Sequence, residues 1–213
     1  MSDITYRHAV MEDFDRCLDV IYEAFKDYPA YCHFKLKTQQ QQNEFTRSLI
    51  YVQLYEGFKK DTVIVSERDN EILCVSIIQK PGRKETTVFE YMFYGAPTVF
   101  LKGGVTTTFK FLNLFRDFNS CHVNYAETHP DCWNMELIAV NTKFHHQGIG
   151  SRMIQDYIIP MVKEGAGKKL TLITNKEINT HFYEKNGFSL MEEVKEHTLD
   201  DHTLYNWTFE QNF

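Results

Sequence analysis

The chain has 213 residues, a formal net charge of −6 and an isoelectric point of about 5.8, with 43% hydrophobic and 24% charged residues. The length suits one domain with a sizeable core and room for an insertion. The acidic balance argues against general nucleic-acid binding, which needs a cationic footprint.

Cys17, Cys32, Cys74, Cys121 and Cys132 are odd in number and include no C-x-x-C pair. Without an N-terminal signal peptide they read as the thiols of a reduced, cytosolic chain. No run is apolar over the length that spanning a membrane requires, so no membrane partner is expected.

Asp3 to His8 alternates as a first strand. A helix follows with Phe14, Cys17, Leu18, Ile21, Tyr22 and Phe25 on one side, and stops near Asp27-Tyr28-Pro29. A second helical pattern carries Phe45, Leu49, Ile50, Val52, Leu54 and Phe58, and the run Gln39 to Gln42 reads as its solvated face. Asp61 to Ser66 and Glu71 to Gln79 alternate as two strands around the turn Glu67-Arg68-Asp69-Asn70, and Pro81-Gly82 closes them. Residues 83–125 are rich in aromatic residues, among them Phe89, Tyr91, Phe93, Tyr94, Phe100, Phe109, Phe111 and Phe115, broken at Gly95 and Gly103-Gly104. They read as helices inserted between the third and fourth strands, with three uses open to them: walling a pocket, extending the core, or forming a homodimer surface.

The most informative stretch is Trp133 to Arg152. Met135 to Val140 suits a buried strand with Glu136 as its one charge, and a helix begins after Gln147-Gly148-Ile149-Gly150-Ser151. Ile149, Met153, Ile154, Tyr157, Ile158, Met161 and Val162 share one face of that helix, which Gly165-Ala166-Gly167 ends. A strand, a glycine turn and a helix start together leave unpaired N–H groups at the positive end of a dipole, a seat for an anion. Lys143, Arg152, Lys176 and Lys185 could make it locally positive. Glycines at 148 and 150 would let a phosphate approach the main chain; the alternative is a tight turn needing small residues for packing.

After a β-rich run from Leu170 to Thr174, Asn175 to Leu190 reads as a short helix closed by Gly187 at a left-handed cap, re-entering a strand at Phe188. Ser189 to Glu193 and His202 to Phe209 alternate as two last strands around Leu199-Asp200-Asp201.

Over residues 130 to 195 these features resemble the acetyl-CoA-dependent N-acetyltransferase superfamily called GNAT. His145-His146-Gln147-Gly148-Ile149-Gly150 falls on its coenzyme-A motif, and Asn179 with F-Y-E-K-N-G-F from Phe182 to Phe188 falls on its later signature. His145 stands where Gln or Arg is usual, and Thr142 where many members have Pro. A helical insertion before a Trp-containing fourth strand is similar to a branch that includes puromycin N-acetyltransferase.

The resemblance implies an α/β GNAT fold, with a mixed central sheet of about six to seven strands, flanking helices and acetyl-CoA as co-substrate. It places the acceptor pocket beside Phe25 to Phe34. It gives the cofactor to the main chain of Ile138, Ala139 and Val140, to the loop His145, His146, Gln147, Gly148, Ile149, Gly150 and Ser151, and to Asn175, Asn179 and Tyr183.

Acyl transfer to an amine needs a base, an oxyanion donor and an acid. The resemblance sets Tyr183 beside the coenzyme-A sulfur as the acid; its alternative is a core tyrosine. Glu136 is the candidate base, because a carboxylate in an apolar strand, on a face shared with Asn134 and Ile138, needs a reason to be there. A solvent-facing or backbone-capping role is the alternative for Glu136, and His122 and His129 are fallback bases. No cysteine sits in a nucleophile context, and His145-His146 lacks partners at zinc-site spacing. The expected activity is acetyl transfer to a small-molecule or peptide amine by direct attack within a ternary complex. The rival is an acyl-CoA sensor or scaffold on the same fold.

Overall fold

The computed structural model describes residues 3–191, 195–199 and 202–213. The first alternation becomes β1 (Thr5–His8), and the apolar face after it becomes α1 (Phe14–Phe25), entered through a 3₁₀ turn at Met11–Asp13. A proline-started turn, α2 (Pro29–Cys32), leads to α3 (Gln39–Lys60), whose first turn is capped by the Thr38 hydroxyl accepting from the Gln41 N–H. The glutamine run is only partly solvated. Gln42 is buried, donating from Nε2 to Tyr31 O at 2.9 Å and accepting from the Leu36 N–H at 3.1 Å, and so pins α2 to α3.

β2 (Thr62–Arg68) runs past its expected end at Ser66, β3 (Glu71–Gln79) has its expected bounds, and Arg68 pairs with Glu71. The turn shrinks to Asp69-Asn70, at φ 51° and 61°, because a mirror-image two-residue turn matches strand twist and Asp and Asn tolerate the left-handed region. The central residues of both strands are buried without alternation, since helices cover both faces of the sheet.

The aromatic stretch forms α4 (Val88–Phe93), α5 (Ala96–Gly103) and α6 (Val105–Thr128), helices between β3 and the fourth strand as expected. Val99, Phe111, Leu114 and Phe118 join the core built by α1 and α3, while Phe89, Phe93, Leu101 and Phe109 remain exposed. Core extension is therefore one use the segment has.

β4 (Cys132–Val140) is followed by one continuous helix: α7 (Ile149–Arg152), a π-wound stretch Met153–Ile158, and α8 (Ile159–Glu164). The wide turn closes where the Ile159 N–H reaches Ile154 O, just before Pro160, which has no N–H to give. At the helix end Ala166, not a glycine, takes φ 57°. Gly165 and Gly167 are small for a different reason: a Cβ on them would come within 2.4 and 2.5 Å of the Trp133 ring.

β5 (Lys169–Thr174), α9 (Ile178–Lys185), β6 (Ser189–Leu190), β7 (Lys195–Leu199) and β8 (His202–Asn212) complete the chain. The expected strand from Ser189 to Glu193 is seen at Ser189–Leu190, and Glu192 and Glu193 lie outside the described residues. Asp200 and Asp201 of the expected turn do too.

Among the described residues eight strands make one mixed sheet, in the order β1-β2-β3-β4-β5-β8-β6 with β7 on β8, slightly larger than expected. β4 and β5 are its parallel neighbours. Two apolar clusters lie on its two faces: one with α1, α3, α5 and α6, the other with α7, α8 and Tyr183 of α9.

Candidate active site

β4 and β5 pair only from Cys132 to Asn134 against Lys169 to Thr171, although β4 continues to Val140. Beyond that point, among the described residues, β5 pairs with β8 alone and β4 keeps only β3. The Asn141 N–H points to β3, bonding Leu73 O. Strand alternation then turns the N–H groups of Ile138 and Val140, and not that of Ala139, toward the splayed side. His145 occupies part of this edge, its Nε2 donating to Val140 O at 3.0 Å. Its side chain therefore braces the loop.

The same strand carries a bulge. Leu137 opposes Ile77 but Met135 opposes Ile78, so Glu136 is an extra residue with no partner of its own. The slip exchanges faces along β4. Trp133 and Met135 belong to the cluster on the α7 face and Leu137 and Ala139 to the cluster on the α3 face, while Ile138 and Val140 pack back toward α7. Glu136 thus shares a face with Asn134, as expected, but not with Ile138, because the bulge breaks the two-residue period between them.

On that face the half-buried Glu136 carboxylate accepts from Gln53 Nε2 at 2.8 Å and from Asn134 Nδ2 at 3.3 Å. Burial pushes its pKa up to about 7, against the lowering effect of the Gln53 hydrogen bond; Glu56 and Asp61 add to the rise and Arg83 opposes it. Arg83 is itself engaged by Asp61 at 2.6 Å and Glu56 at 2.5 Å. Among the described residues Glu136 forms no ion pair. His129, a fallback base, is exposed and bonds within its own helix end; the His122 side chain lies outside the described residues.

At the mouth of α7, Gly148 sits at φ +73° with nothing within 4 Å of where a Cβ would be, and no side chain caps the helix. His146 just before it is also left-handed, at φ 62°. Open space before an uncapped helix start, with Gln147 in the turn and Ile149 and Ser151 in the first helical turn, fits a phosphate-bearing ligand. Gly150 serves packing: its Cβ would meet Phe182 at 3.2 Å and Val140 at 3.3 Å. The two sequence segments are clamped here, since Asn186 donates to Ser151 Oγ at 3.1 Å and Gln155 to Asn186 O at 2.8 Å. Two of the nearby cations are occupied, Lys143 by Glu71 and Arg152 by Asp156. Lys176 lies over the Tyr28 ring.

Across the splay, Asn179 Nδ2 donates to Thr174 Oγ1 at 3.0 Å, which leaves Asn179 Oδ1 as an acceptor. Tyr28, within the segment expected to border the acceptor pocket, anchors this corner: its hydroxyl accepts from the Asn175 N–H at 2.7 Å and bonds Thr174 at 2.9 Å. The Asn175 side chain is turned to β8, donating to Tyr205 O at 2.8 Å. Tyr183 is buried against Phe188 and Phe209, and burial, with Tyr28 and Cys74 beside it, holds its phenol well above the ordinary value. The turn at α2 is where the acceptor region was expected. A depression of about 350 Å³ beside it is lined by Asp27, Cys32, Lys35, Leu36, Thr38, Gln39 and Gln42, and includes neither Glu136 nor Tyr183.

Residues 116–190 match the acetyltransferase (GNAT) domain model, and solved structures match along essentially the whole chain. A Drosophila melanogaster polyamine N-acetyltransferase aligns at a TM-score of 0.63 and 12% identity, over 99% of this chain and 100% of that one. The chain has the GNAT fold. A Corynebacterium glutamicum protein described as histone acetyltransferase HPA2 and related acetyltransferase gives 0.62 and 16%, over 99% and 97%. The PaiA N-acetyltransferase of Thermoplasma acidophilum, solved with coenzyme A, gives 0.56 and 11% over all of both chains. No curated protein matches by sequence. The splayed β4–β5 pair, the uncapped α7 start and α9 are the elements that carry the sequence motifs.

Proposed function

We propose that this protein is an acetyl-CoA-dependent N-acetyltransferase acting on a primary amine by direct attack within a ternary complex. The observation that carries the reading is the splay of β4 from β5, with Glu136 bulged toward one face and Tyr183 held on the other. The match to the GNAT domain model and the likeness to coenzyme-A-bound structures support acetyl-CoA as the donor.

Acetyl-CoA, as substrate, supplies the activated acyl group. The N–H groups of Gln147, Gly148, Ile149 and Gly150 and the Ser151 hydroxyl hold its pyrophosphate, and Asn179 Oδ1 accepts from an amide of its arm. Ile138 and Val140 offer main-chain N–H groups to the arm and to the developing oxyanion. Glu136 takes the proton from the incoming amine and Tyr183 gives one to the departing sulfur. The branch that includes puromycin N-acetyltransferase is a finer placement, supported by Trp133 on β4 and the helices before it. A small-molecule or peptide amine fits the acceptor role. The named activity of the Drosophila protein directs an assay panel toward polyamines first.

Release of free thiol from acetyl-CoA, followed across a panel of amines, tests the proposal. Amine-dependent release lost in a Glu136→Gln, Tyr183→Phe double variant supports transfer. Tight acetyl-CoA binding without release for any amine would favour the acyl-CoA sensor instead.

A further inference from the structure

Glu136 is held by neutral amides that are themselves held. Tyr31 is buried, and its hydroxyl donates to Gln53 Oε1 at 2.9 Å. That bond takes up the Gln53 oxygen, and the ionised Glu136 carboxylate, which can only accept, takes the Nε2 donor at 2.8 Å, so the two partners together orient the amide. On the other side Asn134 Nδ2 is shared between Gln79 Oε1 at 3.0 Å and Glu136 at 3.3 Å, while Asn134 Oδ1 accepts from Thr171 at 3.3 Å. The chain of bonds runs from α2 through α3 and β4 to β3 and β5. Each carboxylate oxygen receives one amide donor, and of roughly four lone-pair sites two remain for an amine N–H.

We propose that Gln53, held between the Tyr31 hydroxyl and the Glu136 carboxylate, is a positioning residue that aims that carboxylate at the acceptor amine. This rests on the reading of Glu136 as the base. The ionisable groups facing Glu136 are Glu56 of α3, Asp61 just after it, Arg83 of the loop before α4, Tyr91 of α4 and Tyr31 of α2. Glu56 and Asp61 are engaged by Arg83, and Tyr91 donates to Glu56. Gln53 is thus the polar neighbour at shortest hydrogen-bond distance that can favour the ionised form without bringing a charge.

The test uses Gln53→Met, which keeps an unbranched side chain and removes the amide, and Tyr31→Phe, which frees the amide to rotate. Titration of the carboxyl carbon of Glu136 by ¹³C NMR, assigned from its loss in Glu136→Gln, reads the carboxylate without any turnover. In Gln53→Met its midpoint should rise by about one pH unit, and in Tyr31→Phe by less but in the same direction. The acid limb of the kcat/KM profile should rise with it, with the KM for acetyl-CoA unchanged. A Glu136 midpoint that coincides with wild type in both variants overturns the proposal, because a packing role for Gln53 would not move the titration. A midpoint that rises while the acid limb stays in place overturns the assignment of Glu136 as the base, and with it any catalytic role for Gln53.

Discussion

In the proposed reaction Glu136 and Tyr183 carry opposite protonation demands, as base and acid, and their surroundings suit both. Glu136 gains its proton as pH falls through about 7, since burial raises its pKa to that value. Its base form is therefore present above that range and lost below it. The rate should climb through neutral pH in wild type, and Glu136→Gln should remove that limb and lower kcat by about 100-fold, read from a pH–rate profile. Tyr183 is held in its protonated form by burial, as the proposed acid must be. Tyr183→Phe should lower turnover by about 100-fold while leaving acetyl-CoA affinity within about twofold, measured by comparing kcat with a binding isotherm. Equal losses in both would return Tyr183 to a core role.

Among the elements, the glycine turn with its helix and the α9 segment were legible because their chemistry is local. Gly148 needs its left-handed backbone, and Gly187 at φ 90° closes α9 as the pattern required. What was not legible depends on neighbours. The bulge at Glu136 is a mismatch in register against β3, and no residue within β4 announces it. Gln42 looks solvated in sequence, but α2 folds back over it. Gly165 and Gly167 read as helix terminators, although their smallness answers to Trp133 more than thirty residues earlier. Gly103 shows the same dependence: a Cβ there would lie 2.2 Å from the buried Phe45 ring, where α5 crosses α3. Gly103→Ala should destabilise the fold by about 1–3 kcal/mol in a denaturant titration, with acetyl-CoA affinity retained.

At the scale of the whole molecule, helices on both faces bury the sheet, and a single interruption between β4 and β5 opens its edge where the motifs converge. The fold class was legible from strand and helix order; the size of the sheet was not, because β7, Lys-Glu-His-Thr-Leu, has no apolar alternation and is a strand through its pairing with β8. The β1 end is held by Arg7, which donates to Asp13 at 2.6 Å and to Glu67 at 2.8 Å. The Arg7 hydrogen bonds, helped by the Val10 N–H, hold the buried Asp13 carboxyl below its ordinary value despite burial. A depressed acid contributes stability that is full above its unfolded pKa, about 4, and is lost as pH falls through the folded value. Asp13→Asn should cost about 2 kcal/mol at pH 7, with the gap to wild type closing below pH 4 in thermal melts.

The most direct test of the account is calorimetric titration with acetyl-CoA, run on wild type and on Gly148→Glu, which places a carboxylate in the open space before α7. The account predicts saturable binding to wild type and none to a folded Gly148→Glu. Absence of binding to wild type would contradict it, leaving the splayed strands and the glycine turn as features of a shared fold alone.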